Sequence, residues 1–134
     1  MQLSGLISKM HTSLSVGTAQ YQLPIGDKLL NINDLIGETI QLEFNGQINC
    51  ANCGKVTNKS YSQGYCYPCC QKLASCDLCI MKPENCHHHL GTCREPAWGL
   101  DNCFTPHVIY LANSSGVKVG ITRKSNIPGR WIDQ

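Results

Sequence analysis

The residues with the most chemical potential are cysteines: the chain has ten, and all of them lie between Cys50 and Cys103. Six fall into Cys-x-x-Cys pairs, Cys50/Cys53, Cys66/Cys69 and Cys76/Cys79, and a run of His87, His88 and His89 follows. Such a stretch is cross-linked either by metal or by disulfides, and the compartment decides which. The N-terminal stretch has no apolar run after a basic start and no small-residue cleavage signature. No window approaches the ~20 apolar residues of a membrane helix. The chain therefore reads as cytoplasmic and free of membranes, with thiols that are reduced or metal-bound.

Spacing points to zinc. Thiolates at i and i+3 reach one ion from a tight turn, and Gly54, just after Cys50-Ala-Asn-Cys53, can take the positive φ that aims backbone N–H groups at sulfur. Cys66-Tyr-Pro-Cys69 supplies a second pair after a twelve-residue interval. Four sulfurs in two such pairs form a closed tetrahedral set, which suits a structural ion better than a catalytic one that keeps a position for water. The competing reading is a redox dithiol at Cys66/Cys69, but that motif belongs at a strand-to-helix junction of a βαβ unit. No such pattern surrounds it.

The second half of the stretch admits more than one partition. Cys76, Cys79, Cys86 and Cys93 make a second four-sulfur set, with His87 or His89 as competing fourth ligands. A third site could be built from Cys93, Cys103 and His107. The expectation is about two zinc ions per chain, or three with that last site. Cys70, beside Cys69, reads as a small buried hydrophobe. Three adjacent histidines cannot all face one ion, so at least one faces solvent.

These ligands need elements to hold them, and the composition limits what those can be. At 134 residues the chain has room for one domain or two small ones. Hydrophobic residues make up 42%, yet without the ten cysteines the share falls to about a third. A core that thin implies a small, metal-stabilised, β-rich (α+β) fold. The formal charge of +2 would become about −2 with two four-thiolate zinc sites, so the metal region is no general magnet for phosphate. Any nucleic-acid contact must come from local basic clusters.

Residues 1–37 alternate short apolar groups with Gly, Ser and Asn, which suggests short strands and turns. Residues 39–44 alternate apolar and polar with a period of two, Asn45-Gly46 is a hairpin signal, and 47–50 would return as a strand into the first cysteine pair. Zinc ribbons deliver cysteines from hairpins in this way. Trp98 reads as a cover over the metal region, with nucleobase stacking as the alternative. Val108 to Leu111 and Val117 to Ile121 predict a second hairpin around the turn at 113–116, and Pro128 can start a helix carrying Arg130 and Trp131.

Val108-Ile109-Tyr110, Lys118-Val119-Gly120 and a later arginine resemble the opening of the GIY-YIG nuclease module. With SYSQGYCYPC, CDLCIMKPENCHHHLGTCREPAWG, VIYLANSSGVKVGITR and RW, residues 38–134 resemble an uncharacterised prokaryotic family, known as a domain of unknown function, that joins a cysteine-rich head to a GIY-YIG-like tail. The resemblance implies a zinc-ribbon or knuckle head followed by the first hairpin of that module. It also implies phosphate-facing roles for Tyr110 and Arg130, which match the module's first tyrosine and its helix arginine. Lys118 stands where the second tyrosine belongs, and the metal-binding glutamate would lie beyond residue 134. That incompleteness favours binding over catalysis, because a lysine still holds phosphate as a point charge. It also suggests the N-terminal part of a longer protein.

The expected organisation is an N-terminal β-rich segment (1–49), a cysteine-rich zinc-binding region (50–107) and the start of the GIY-YIG-like module (108–134). The expected function is zinc binding with nucleic-acid contacts from Lys118, Arg123 and Lys124. The alternatives are a zinc module that docks a protein partner, or the N-terminal part of an endonuclease.

Overall fold

The computed structural model describes all 134 residues, which divide into two compact units: Met1–Glu43 with Pro106–Gln134, and Phe44–Thr105. The sequence-based segments end at 49 and 107, and the residues before and after the cysteine-rich stretch group in one unit.

In the first unit, β1 (His11–Ser15), β2 (Thr18–Ile25) and β3 (Lys28–Asn31) form an antiparallel meander. Asn33, in the 3₁₀ turn that follows, pins that turn to the middle strand. The Tyr21 N–H donates to Asn33 Oδ1 at 2.7 Å, and Asn33 Nδ2 donates to the Ala19 carbonyl at 2.9 Å. One side chain thus satisfies a backbone donor and a backbone acceptor that the sheet leaves unpaired.

Ile48–Asn49 (β4) and Val56–Thr57 (β5) pair antiparallel in the second unit, where α1 covers Tyr67–Lys72 and α2 covers Pro96–Asn102. Short 3₁₀ turns connect α1 to α2. The first unit resumes with β6 (His107–Asn113) and β7 (Val117–Arg123), a seven-residue antiparallel hairpin, and ends in α3 (Gly129–Ile132) after Pro128.

The expected strand at 39–44 does not form. Its alternation is present, but Ile40, Leu42 and Phe44 are exposed and the segment is irregular. Gly46 does take a positive φ of 86° and Asn45 Oδ1 accepts from the Gln47 N–H, so the turn chemistry is there without its ladder. Ile48–Asn49 instead pairs with Val56–Thr57, because the first cysteine turn folds the chain straight back on itself.

Burial is sparse. Only Ile25, Cys50, Ala74, Gly99 and Thr122 are buried, and none of the large side chains is fully enclosed. Two separate compact bodies of half this mass would together expose about 8,400 Å², whereas the chain exposes 10269 Å². Hydrophobic burial is thin in both units. No helix is long and apolar enough to cross a membrane.

Candidate metal centre

The first cysteine pair sits on a turn that its own backbone closes. The Gly54 N–H donates to the Cys50 carbonyl at 2.8 Å and the Cys50 N–H to the Lys55 carbonyl at 2.8 Å, with Gly54 at φ 72°. These bonds put β4 and β5 side by side and turn the sulfurs of Cys50 and Cys53 the same way.

The second pair arrives by a separate tight turn. Tyr61 and Tyr65 exchange backbone hydrogen bonds, and the Ala51 N–H donates to the Gly64 carbonyl at 2.7 Å, which seats this turn on the first. Cys66 then caps α1 and Cys69 lies inside it, one turn on.

The result is a set of four sulfurs, Cys50, Cys53, Cys66 and Cys69, all within 4.8 Å of one another. Cys53 Sγ and Cys66 Sγ are 3.8 Å apart. A tetrathiolate with metal–sulfur bonds of about 2.3 Å has sulfur–sulfur edges of about 3.8 Å. The four cysteines therefore could bind one metal ion. Asn52 Nδ2 donates to Cys69 Sγ at 3.4 Å, the kind of outer contact that orients a ligand and steadies its negative charge.

The thiols already differ in acidity. The Cys53 backbone N–H, against some desolvation, draws Cys50 down to about 6. The Cys69 backbone N–H pulls Cys66 down, but desolvation and hydrogen bonds from the neighbouring thiols overcome it and push Cys66 up to about 12. Four crowded sulfurs suit a dication, whose charge would offset that of their thiolates.

Farther along the unit, an ion pair organises the chain. Arg94 Nε lies 2.8 Å from Asp77 Oδ2, and Arg94 Nη1 donates to the carbonyls of Cys70 and Leu73 at 2.9 and 3.3 Å. Glu95 Oε2 accepts from the Ala74 N–H at 2.7 Å. Desolvation raises Asp77, but the His87 hydrogen bond and the Arg94 guanidinium more than offset it and leave the carboxyl below its usual range. Asp77, Cys79 and His87 form a second group that could hold an ion.

The structure distributes the remaining candidates differently from the expected second set. Cys76 is beside Cys70: burial and the Cys70 sulfur both raise its thiol, and Ser62 Oγ lies 3.4 Å from Cys70 Sγ. Cys70 is half-exposed rather than buried. Cys79, Cys86 and Cys93 line one cavity, and the fourth sulfur there is Cys103. His87 lines it too, while His89 faces solvent and His107 opens β6 in the other unit. Trp98 also lines this cavity.

The basic and aromatic candidates lie in the first unit. Tyr110 pairs with Gly120 and Ala112 with Lys118, so alternation puts Tyr110 and Lys118 on one face of the hairpin. A Cβ on Gly120 would collide with the Tyr110 ring, so only glycine lets the ring lie flat across the neighbouring strand. Tyr110 and Trp131 line a groove of about 410 Å³. Lys118, Lys124 and Arg130 are exposed, and Arg123 is half-buried.

A family model described as a protein of unknown function (DUF2797) matches residues 37–134. The chain belongs to that family. No curated protein and no solved structure matched it. The matched span takes in every cysteine of the DUF2797 chain, the β6–β7 hairpin and α3. Asn52, Asp77, Arg94 and Glu95 carry no sequence signal of their own, since each acts through partners 10 to 24 positions away.

Proposed function

We propose that this DUF2797 chain is a zinc protein whose hairpin unit contacts nucleic acid through the phosphate backbone. The observation that carries the zinc half is the four-sulfur set, with its 3.8 Å sulfur–sulfur edge. Four thiolates in a closed tetrahedral arrangement favour zinc, and leave no position for a reacting water. The ion's role is to order Phe44–Thr105.

The nucleic-acid half rests on the hairpin face that holds Tyr110 and Lys118 above a groove shared with Trp131. A lysine for phosphate beside aromatic rings for stacking is the usual pairing for single-stranded nucleic acid. Lys124 and Arg130 add exposed charge in the same unit. The GIY-YIG-like reading of this hairpin gives Tyr110 and Arg130 the scissile-phosphate positions. With Lys118 in place of the second tyrosine, binding is the better-supported activity.

A protein-docking reading has one observation in its favour. The opposite hairpin face carries Ile109, Leu111, Val117, Val119 and Ile121, each 65–73% exposed. A contiguous apolar face of that kind marks an interaction surface.

Binding to single- and double-stranded DNA and RNA over a range of salt concentrations separates the two. Nucleic-acid binding predicts a salt slope that falls by about one for each phosphate-binding cation removed, in Lys118→Ala or in Arg130→Ala. No affinity for any of the four polymers rejects it in favour of docking, and strand cleavage by the chain would promote the hairpin to an active site.

A further inference from the structure

We infer that Cys79, Cys86, Cys93 and Cys103 bind a second zinc ion as a closed tetrathiolate, with Asp77 and His87 as the supporting frame rather than as ligands. This goes beyond the first centre and does not depend on it. The four thiols line a single cavity of about 20 Å³, room for one water-sized occupant.

Commitments already made by the other donors decide against them. Asp77 Oδ2 is held by Arg94 Nε at 2.8 Å and faces His87 Nε2 at 3.3 Å, and His87 Nδ1 lies 2.8 Å from Thr92 Oγ1. Both ring nitrogens of His87 are therefore spoken for. His88 Nε2 lies 3.3 Å from the Pro96 carbonyl, and its ring packs on Phe104 with centroids 4.9 Å apart. Those contacts place the imidazoles as walls.

The four sulfurs, by contrast, all line the cavity. Helix α2 runs from just after Cys93 to Cys103 and returns the chain to the same cavity, where the Cys103 N–H caps it on the Gly99 carbonyl at 2.7 Å. The helix packs closely there: a Cβ on Gly99 would stand 3.5 Å from Cys93 Sγ and 3.3 Å from His88 Cδ2. Trp98 and Phe104 close the cavity with apolar surface.

Of the four, only Cys79 belongs to a group gathered within 4.8 Å, so the ion draws the other sulfurs inward as it binds. Each thiol releases its proton to water as its sulfur–metal bond forms, four protons per ion, and no redox partner is required.

Metal analysis of the full chain, purified in reductant with zinc and desalted, tests the assignment. The expected result is two zinc ions in the unaltered chain, one in Cys103→Ser and one in Cys86→Ser, with two kept in Cys76→Ser. Two ions retained in Cys103→Ser, or one lost in Cys76→Ser, would overturn it. If the serine variants do not fold, cobalt titration of the unaltered chain still decides. Two tetrathiolate sites give equal thiolate-to-cobalt charge-transfer absorbance for each equivalent, whereas an Asp77, Cys79 and His87 site would give about a quarter as much for its own. Unequal steps of that size, or uptake of a single equivalent, would also overturn it.

Discussion

The two units meet the same shortage of apolar residues in opposite ways. The unit made of Met1–Glu43 and Pro106–Gln134 is ordered by backbone ladders, including an eight-residue central strand and a seven-residue hairpin. Phe44–Thr105 has one ladder of two residues per strand and helices of six and seven residues, too short to be stable alone. What converges there is sulfur. Hydrogen-bonded sheet can be extended by lengthening strands, but a chain broken into tight turns needs a cross-link that many turns can share, and a metal ion is such a cross-link.

The sharpest way to break this contrast is to remove the metal. Apparent zinc contributions of about 10 to 16 kcal/mol in small modules match a whole domain's stability of about 5 to 15 kcal/mol. A strong chelator in reductant should therefore abolish amide protection in β4, β5, α1 and α2 while the β6–β7 amides keep theirs. Equal loss in both units, or none in either, would erase the distinction, and hydrogen exchange read by mass spectrometry reports each peptide separately.

Arg94 tests whether sulfur has help. Truncation in Arg94→Ala leaves the Asp77 carboxylate, 14% exposed, without its guanidinium partner and with only the longer His87 contact, and frees two carbonyls. We expect a loss of about 2 to 3 kcal/mol, seen as a lower denaturation midpoint of the metal-loaded protein, with exchange increasing in residues 70–77 and not in the hairpin.

Gly120→Ala probes the other unit, where steric fit rather than ligation sets the geometry. The added methyl must displace the Tyr110 ring, at a cost of about 1 to 2 kcal/mol. Its signature is a change in tyrosine near-ultraviolet circular dichroism with metal content unaltered. The smallest effect belongs to Asn33→Ala, about 1 kcal/mol. It removes the bonds to Tyr21 and Ala19 and should raise amide exchange at Tyr21 alone.

Much of the first centre was legible from residue types alone. A Cys-x-x-Cys pair is closed by its own turn, so Gly54 after Cys53 and Pro68 at the start of α1 already specify where two sulfurs point. The β6–β7 hairpin was equally readable, because its strands pair across a short turn and their β-branched residues share a face. Residues 39–44 show where pattern misleads: alternation states that a strand could form, but a strand needs a partner, and Ile48–Asn49 found Val56–Thr57 through the cysteine turn instead.

By itself, then, the sequence determined that Cys50, Cys53, Cys66 and Cys69 would come in pairs on tight turns and that the C-terminal stretch would be a hairpin. Both follow from interactions between residues close in the chain. Which distant sulfurs share a cavity was decided only by tertiary structure. The Arg94 and Glu95 bonds to residues 70–77, and the path of α2 back to Cys103, set that grouping. Spacing along a chain carries no information about how intervening turns fold back, so it could not say that Cys103 lines the cavity of Cys79, Cys86 and Cys93 while Cys76 lies beside Cys70.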